Sequence, residues 1–499
     1  MKQQHYFTFI LALLFHTLTM SAQDCGCTIS EVQNNLVQPC DRIIGEVVTV
    51  GTANALIQAI RSANATGGNM TILIEDGTYQ VATTASYPYI TANNLVIRSL
   101  SGDRDAVILT GTGMKSVNPL VEIGLSVVGN NITIADLTIR DVGNHGISTQ
   151  GDSMFVHNVR IQNTYEQMLK GTAGGDGADN AIVQCSLFEY PGGVGPNWYI
   201  GGLDIHRGDN WVVRDNIFKN IISPSTAVAE HAIHFWNRSS NNTIERNWIV
   251  NCDRGIGFGL GDSPHEGGII RNNMIYNDGQ SEFSDVGIGL ESSSGAKVYN
   301  NTIFITYPNA IEYRFATSRA NDIQNNLTNR QIRQRNGGMA MVNNNFTKSK
   351  KDWFVNVSTG DLHLVERISS VVDQGASLLK DVPEDFDQVS RPKGIQLDIG
   401  AHEYEQTVAV DETGIISKVY QLFPNPANTY ITISTHQQRS THIEIYRLAP
   451  YDKIFDAYYQ KLSSGIINIE NWLPGLYICR ITDGDQSTQI IPLVVSPTH

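Results

Sequence analysis

The stretch GGLDIHRGDNWVVRDNIFKNI at 201–221 decides the fold, because its pattern returns four more times before residue 330. Each copy has a short strand of alternating apolar residues, a polar turn, and a second strand in which an asparagine precedes an apolar pair. A period of about 25–30 residues indicates a repeat architecture, and short strands without helical periodicity indicate a β-solenoid. The later copies are HAIHFWNRSSNNTIERNWIVN (231–251), RGIGFGLGDSPHEGGIIRNNMIYN (254–277), VGIGLESSSGAKVYNNTIFIT (286–306) and NAIEYRFATSRANDIQNNLTN (309–329).

The recurring asparagine predicts a ladder along the solenoid. Equivalent strands of successive rungs stack about 4.8 Å apart, and asparagine tolerates the left-handed backbone of a tight turn. Stacked asparagines can also share side-chain hydrogen bonds from rung to rung. We assign them a structural role and no catalytic one. They are Asn216, Asn247, Asn273, Asn301 and Asn326.

The repeat extends toward the amino terminus and predicts a cap. The same pattern of short apolar strands and polar turns occurs in three earlier stretches between residues 92 and 171. Before them, residues 53–63 form an amphipathic helical pattern that places Leu56 and Ile60 on one side. A solenoid exposes the apolar end of its terminal rung unless another element covers it. We therefore expect this helix to cap the solenoid, followed by a strand through DGTY at 76–79.

The helix, the DGTY strand and the segment DFDQVSRPKGIQLDIGAHEY (385–404) together resemble the right-handed parallel β-helix of the pectin-lyase-like superfamily. The resemblance covers roughly residues 45–405. It implies an all-β fold, a right-handed parallel β-helix with an N-terminal helical cap. We expect that domain at 46–404, after an N-terminal segment at 23–45.

Both ends of the chain carry targeting patterns. Residues 1–22 are typical of a secretory signal peptide, with a charged start, an apolar core and small residues at the cleavage site. The motifs FPNPA (423–427) and LPGLY (473–477) resemble the C-terminal sorting domain of the Bacteroidetes type IX secretion system. That resemblance implies a small β-sandwich at 419–499 after a linker at 405–418. It also implies delivery by that machinery, as a secreted protein or on the outer-membrane surface.

Composition limits the partners. The formal net charge is −14 over 499 residues, which argues against nucleic acid because phosphate binding needs a basic surface. We expect a monomer whose partner is a polysaccharide. In an exported chain, Cys25 or Cys27 can pair with Cys40. Cys185 and Cys252 lie in strand-like runs, and we expect them to be free and buried.

The outward face of the repeated strand holds the candidate site. Successive residues of a strand face opposite sides, so the inward Leu203 and Ile233 set the register. The outward positions then carry titratable groups at one end, glycines at 257 and 289, and carboxylates with arginines beyond. Outward glycines weaken a strand and predict close approach by a ligand. The candidate catalytic residues, which we expect to face solvent within about 10 Å of one another over three rungs, are Lys170, Asp204, His206 and His234.

These groups favour a secreted polysaccharide lyase. β-Elimination from a uronate needs a base for the C5 proton, an acid for the leaving oxygen and a positive partner for the C6 carboxylate. Lys170 or His234 is the candidate base, and His206, oriented by Asp204, is the candidate acid. Trp236 suits stacking on a sugar ring. The candidate substrate-binding residues are Arg207, Trp236, Arg254, Glu291, Glu312 and Arg314.

Three alternatives stay open. Uronan C5-epimerases use similar groups on this fold. Glu291 and Glu312 on adjacent rungs are compatible with the carboxylate pair of a retaining glycoside hydrolase. Rows of exposed groups on a solenoid also suit a non-catalytic surface protein that binds glycans.

One candidate cation site lies in the glycine-rich stretch 171–180. Asp176 and Asp179 there supply carboxylate oxygens of the kind that Ca²⁺ prefers. His231 and His234 are three residues apart and, under strict alternation, face opposite sides of a strand. That spacing argues against zinc.

Overall fold

The structure is a computed structural model that describes residues 25–83, 86–115, 122–172, 174–175, 177–225, 227–279, 284–405, 420–448, 451–484 and 488–496. The predicted signal peptide at 1–22 and all but the first residue of the predicted linker at 405–418 lie outside these ranges. The chain divides into two compact units between Glu405 and Gln406. No helix in the described ranges is long and apolar enough to cross a membrane.

The first unit is a parallel β-helix, as the repeat predicts. Within the described residues, parallel strands form a twenty-stranded, a ten-stranded and a three-stranded sheet. The twenty strands are Glu46–Val50, Gly68–Ile74, Gly77–Gln80, Asn93–Ser99, Val107–Thr110, Ile132–Val142, Phe155–Thr164, Ile182–Gln184, Leu187–Glu189, Val212–Arg214, Ile217–Lys219, Thr243–Glu245, Trp248–Val250, Ile269–Arg271, Met274–Tyr276, Lys297–Tyr299, Thr302–Phe304, Asn321–Gln324, Leu327–Thr328 and Ala340–Asn343. The ten are Tyr89–Ile90, Leu125–Val127, Ile147–Thr149, Gln167–Gly171, Gly201–His206, His231–Trp236, Arg254–Phe258, Ile288–Glu291, Asn309–Arg314 and Gln331–Arg335. The three are Ser239–Ser240, His265–Glu266 and Ser293–Ser294.

The predicted cap is the helix Ala53–Thr66. The Thr52 side chain accepts a hydrogen bond from the Ala55 N–H at its start, and Gly67 with φ of 86° ends it. Glycine suits that end because a residue without Cβ adopts the left-handed conformation freely. The helix buries Leu56 and Ile60 against the first strands of the solenoid.

The predicted asparagine ladder is present, and asparagine side chains form its hydrogen bonds from rung to rung. Asn273 Oδ1 accepts hydrogen bonds from both the backbone N–H and the side-chain amide of Asn247, at 2.9 and 3.0 Å. The same pair of bonds links each rung from Asn216 to Asn345. The left-handed residue of the turn is the one before each ladder asparagine, which corrects the sequence prediction. These residues are Asp215, Arg246, Asn272, Asn300 and Asn325, with φ between 50° and 56°.

The disulfides differ from the prediction in one pair. Cys25 bonds to Cys40, which is one of the two expected pairings. Cys27 bonds to Cys185, so the expectation of a free Cys185 is wrong. The unpredicted helix Ile29–Asn34 brings Cys27 to the outer face of the twenty-stranded sheet. Cys252 is free and buried, as expected.

The end of the first unit covers the outside of the twenty-stranded sheet. It contains the short helices Lys351–Trp353 and Val357–Thr359 and the antiparallel strands Phe354–Asn356 and Asp361–Leu364. Its apolar residues form one cluster with outward residues of the sheet. In the predicted closing segment, Arg391 and Glu403 form a fully buried ion pair.

The second unit is small and all-β. In its described residues, which lie between 420 and 496, five antiparallel strands surround a core of isoleucine, leucine and tyrosine side chains. The long second strand pairs with the first strand near its start and with the fourth near its end. The strands are Tyr420–Phe423, Tyr430–Leu448, Tyr451–Asn468, Gly475–Asp483 and Thr488–Val495.

Candidate active site

The predicted register of the ten-stranded sheet is confirmed. Leu203 lies opposite Leu169 and Ile233, and the same buried column continues through Ile256, Ile288 and Ile311. The outward neighbours pair in the same order, so that Lys170, Asp204 and His234 lie side by side on three successive rungs.

The expectation that these groups face solvent is wrong. Lys170, Asp204 and His234 are 7 %, 2 % and 1 % exposed. The segment before the strand Gly201–His206 contributes Tyr199, which lies beside Lys170. Gln167 donates a hydrogen bond of 2.9 Å to the Tyr199 carbonyl, and Lys170 Nζ lies 5.9 Å from the centre of the Tyr199 ring.

Asp204 is the centre of the cluster. Its Oδ2 accepts a hydrogen bond from Lys170 Nζ, and its Oδ1 accepts one of 2.6 Å from Trp236 Nε1. His206 Nε2 lies 4.0 Å from Oδ2, and His234 Nδ1 lies 3.8 Å from Oδ1. Burial alone would raise the pKa of Asp204, but the Lys170 charge, with His234 and His206, holds it below its ordinary value. Asp204 is therefore a carboxylate that holds the Lys170 side chain in place.

His206 is the most accessible of the four groups, with a side chain 18 % exposed. Burial, with the nearby Lys170 charge, lowers its pKa to about 4. Its Nδ1 lies 3.3 Å from the side-chain amide of Asn237, and Nε2 has no hydrogen-bond partner among the described residues. At neutral pH, His206 is an uncharged imidazole.

His231 and His234 lie on the same face, which corrects the argument from strict alternation. Their ring centres are 4.4 Å apart. Between them, Ala232 and Ile233 both point into the core, so that the outward positions are three residues apart. The same small–aliphatic doublet recurs in the neighbouring rungs as Gly202-Leu203, Gly255-Ile256, Gly287-Ile288 and Ala310-Ile311.

The outward glycines make room for a side chain of the protein itself. A Cβ on Gly257 would lie 2.7 Å from His231 Nε2. A Cβ on Gly289 would lie 3.7 Å from the same atom. The His231 imidazole thus occupies the space that we expected a ligand to approach.

The candidate substrate-binding residues do not form one group, because each of them contacts different residues of the protein. Trp236 is held on Asp204 and stacks on His234, with ring centres 5.6 Å apart. Arg207 donates a hydrogen bond of 3.1 Å to the Gly175 carbonyl. Arg254 Nε lies 3.3 Å from Asp285 Oδ2 and Nη1 lies 3.7 Å from Glu230 Oε2.

Glu291 and Glu312 each have an arginine of their own. Arg314 Nη1 lies 3.0 Å from Glu291 Oε1, and Arg335 Nη1 lies 2.7 Å from Glu312 Oε2. In register, Glu291 stands opposite Arg314 and Glu312 opposite Gly289, so the two carboxylates belong to different outward columns.

Of the candidate calcium ligands, Asp176 lies outside the described residues. Asp179 takes part in a ladder of turn residues, since its Oδ1 accepts a hydrogen bond of 2.9 Å from the Asp209 N–H and its own N–H donates to Asp152 at 2.9 Å. Calcium binding there stays a prediction.

A cleft that the sequence did not indicate adjoins the cluster. It has a volume of about 320 Å³ and is lined by Tyr165, Glu166, Asn197, Trp198 and Tyr199. Burial raises the pKa of Glu166, while a hydrogen bond from Asn144 and the Lys170 charge act against that shift. Tyr165 and Glu166 precede one strand of the ten-stranded sheet and residues 197–199 precede the next, so that no local pattern in the sequence marks the cleft.

Comparison with protein families confirms the architecture. Residues 123–303 match the family described as right handed beta helix region, and residues 421–495 match the secretion system C-terminal sorting domain. The protein is a right-handed β-helix protein with a type IX sorting domain. The sorting domain indicates export by the type IX secretion system, to the medium or to the cell surface.

Solved structures with a similar arrangement include enzymes and an adhesin. An alginate lyase from Paenibacillus is 16 % identical, over 60 % of this chain and 99 % of that one, with a TM-score of 0.41. A polysaccharide lyase from Pseudopedobacter saltans is 10 % identical, over 72 % and 99 %, with a TM-score of 0.29. The surface adhesin PfbA of Streptococcus pneumoniae is 13 % identical, over 63 % and 92 %, with a TM-score of 0.30. No curated protein sequence matches the chain. These similarities do not specify an activity.

Proposed function

We propose that this protein is a secreted polysaccharide lyase that cleaves a uronic-acid-containing glycan by β-elimination. The observation that carries the proposal is the buried ammonium of Lys170, which Asp204 fixes beside a cleft with aromatic walls. A fixed positive charge in a place that excludes water stabilises negative charge as it develops on a substrate.

Two residues divide the chemistry. The Lys170 ammonium neutralises the C6 carboxylate and the charge that spreads onto it when the C5–H bond breaks. His206 is uncharged at neutral pH because its pKa is lowered to about 4. Its Nε2 is buried and has no hydrogen-bond partner among the described residues, and it accepts the C5 proton when the bound substrate reaches it. As the C4–C5 double bond forms, the C4–O bond breaks, and His206 returns the proton to the leaving oxygen. Asp204 is a positioning residue that holds Lys170 in place.

The cleft provides the sugar-binding surface. Trp198 and Tyr199 are partly exposed, and their rings contact edge to face with centres 5.5 Å apart. Aromatic rings with one apolar face open to solvent suit the apolar face of a pyranose. Trp236, our sequence candidate for this role, is committed to Asp204 instead.

The contacts of the two glutamates favour elimination over hydrolysis. A retaining hydrolase needs one carboxyl group that is protonated and one that is ionised. Glu291 and Glu312 stand in different outward columns and each is paired with its own arginine, at 3.0 and 2.7 Å, so they do not form the facing carboxyl pair that such an enzyme uses.

The test is a screen of purified protein against uronic-acid glycans and neutral glycans, with ultraviolet absorbance and product mass as readouts. We expect products with an unsaturated, ultraviolet-absorbing uronate from one class of uronan. Products that carry the elements of water at the new ends would support the hydrolase instead. Inversion at C5 without cleavage would support an epimerase, and binding without turnover would support a glycan-binding protein.

A further inference from the structure

We propose that Glu230, His231 and His234 form a binding site for a divalent transition-metal cation of the zinc type on the outer face of the ten-stranded sheet. One potential ligand atom of each residue lies within 4.8 Å of the others. Glu230 Oε2 lies 4.0 Å from His231 Nδ1 and 3.8 Å from His234 Nδ1. Zinc bonds of about 2.0–2.2 Å place neighbouring ligand atoms about 3.4 Å apart. The two distances from Glu230 Oε2 exceed that spacing by about half an ångström.

The three ligand atoms are buried and have no hydrogen-bond partner. Glu230 Oε2, His231 Nδ1 and His234 Nδ1 all lack one among the described residues. The side chains of His231 and His234 are 5 % and 1 % exposed. Nearly all buried polar atoms in native proteins are satisfied, and orphaned ones indicate a bound ion or water.

The tautomer of His234 strengthens the case. The Gly259 carbonyl lies 3.1 Å from Nε2, so Nε2 carries the proton and donates it to that carbonyl. In the uncharged ring, Nδ1 then presents a lone pair, which faces Glu230 Oε2 and, also at 3.8 Å, Asp204 Oδ1. A histidine that binds metal through one nitrogen commonly donates its other N–H to a backbone carbonyl. The lone pairs of His234 Nδ1 and Glu230 Oε2 repel each other when no cation is bound, and a cation bound between them would be coordinated by both.

The surrounding charges permit a cation. Arg254 lies between two acidic groups, with its Nε 3.3 Å from Asp285 Oδ2 and its Nη1 3.7 Å from Glu230 Oε2, so that Asp285 shares the guanidinium charge with Glu230. Two imidazoles with carboxylate oxygen form a donor set that zinc and its neighbours prefer, whereas calcium prefers oxygen alone.

Two other groups of metal-ligating side chains in the described residues have their atoms already engaged. In the group His442, Glu444 and Asp456, His442 Nε2 lies 2.7 Å from Asp456 Oδ1. In the group Asp385, Asp387 and His402, the backbone N–H of Leu364 donates to His402 Nδ1 and those of Val389 and Glu403 donate to Asp385.

The test measures metal binding by the full secreted chain without an affinity tag, so that its failure is distinct from failure of the proposed lyase activity. Protein treated with a chelator is titrated with Zn²⁺ by calorimetry, its metal content is determined by mass spectrometry, and Co²⁺ is added to record visible absorption. The variants are Glu230→Gln, which keeps the shape of the side chain, and His231→Asn. The matched control is Glu166→Gln, because Glu166, like Glu230, immediately precedes a strand of the ten-stranded sheet and lies 3.7 Å from a histidine, His145, while no metal-ligating group of the described residues includes it.

We expect one ion per wild-type chain. We expect Glu230→Gln to weaken Zn²⁺ binding by more than about 100-fold, because even the loss of a group that only hydrogen-bonds to a metal ligand costs about 10–100-fold. The Glu166→Gln protein should bind like the wild type. Less than one ion per wild-type chain, equal affinity in Glu230→Gln, or equal loss in Glu166→Gln would overturn the proposal. If His231→Asn does not fold, the comparison of the two glutamate variants decides.

Discussion

Lys170 and Asp204 form an ion pair across two adjacent rungs of the ten-stranded sheet, with side chains 9 % and 3 % exposed. A buried ion pair contributes little to stability in itself, but removal of one partner leaves a charge without compensation. The pair therefore has two consequences that can be measured separately, one for stability and one for turnover.

The first prediction concerns stability. We expect Lys170→Met and Asp204→Asn each to lower the free energy of unfolding by about 3–5 kcal/mol, because each leaves the other charged group buried without its ion-pair partner. The double variant should lose clearly less than the sum of the two single losses. Urea unfolding of the four proteins measures this coupling, and strictly additive losses would contradict the ion pair.

The second prediction concerns the asparagine ladder. Asn273→Ala removes the acceptor of two buried Asn247 donors and the donor to the Ile244 carbonyl. We expect a loss of about 3 kcal/mol or more in the free energy of unfolding, since each buried group left unsatisfied costs about 1–3 kcal/mol. Asn345→Ala, at the less buried end of the same ladder, is the matched control and should cost less. Equal costs at both positions would show that burial of the ladder does not matter.

The ladder also shows what the sequence could predict. The spacing of Asn216 to Asn326 gave the solenoid, its rung length and the register of the ten-stranded sheet, because an inward aliphatic and a turn asparagine recur in every rung. Both patterns are local and recur at a nearly regular spacing, so the strands and turns that they mark can be predicted from the sequence alone.

The site was predicted less well, for two physical reasons. The Ala232-Ile233 doublet breaks the alternation of the strand and brings His231 and His234 together. That doublet is visible in the sequence as a small residue before the inward aliphatic of five rungs, from Leu203 to Ile311. The contact of Tyr199 with Lys170 could not be predicted from the sequence, because Tyr199 lies in a loop that is not part of the repeat. Long-range pairing likewise hid the Cys27–Cys185 disulfide.

The third prediction concerns pH. His363 Nδ1 lies 2.5 Å from Asp361 Oδ1, and Nε2 lies 2.9 Å from Asp387 Oδ2. Burial acts to lower the pKa of His363, but these two carboxylates raise it to about 10. The neighbouring His402 has a pKa lowered to about 4, by burial and then by the His363 charge. His402 therefore stays uncharged in this range.

Because the folded pKa of His363 lies above the unfolded value near 6.5, its stabilisation is complete below about pH 6.5 and is lost as the pH rises through about 10. We expect His363→Asn to lower the free energy of unfolding by about 2 kcal/mol near pH 6. The difference from the wild type should shrink steadily toward pH 10. Urea unfolding across this range checks it, and a difference that stays constant with pH would count against the charged His363.

The most direct test of the central claim is the rate at which Lys170→Met releases unsaturated product from the uronan that the wild type cleaves. Lys297→Met is the matched control, because Lys297 Nζ also pairs with an aspartate, Asp381, at 2.9 Å, on the other sheet. If the Lys170 ammonium stabilises the developing charge, Lys170→Met should lower kcat by about 10²–10³-fold at temperatures where it stays folded, while Lys297→Met keeps the wild-type rate. Wild-type turnover in folded Lys170→Met would contradict the account.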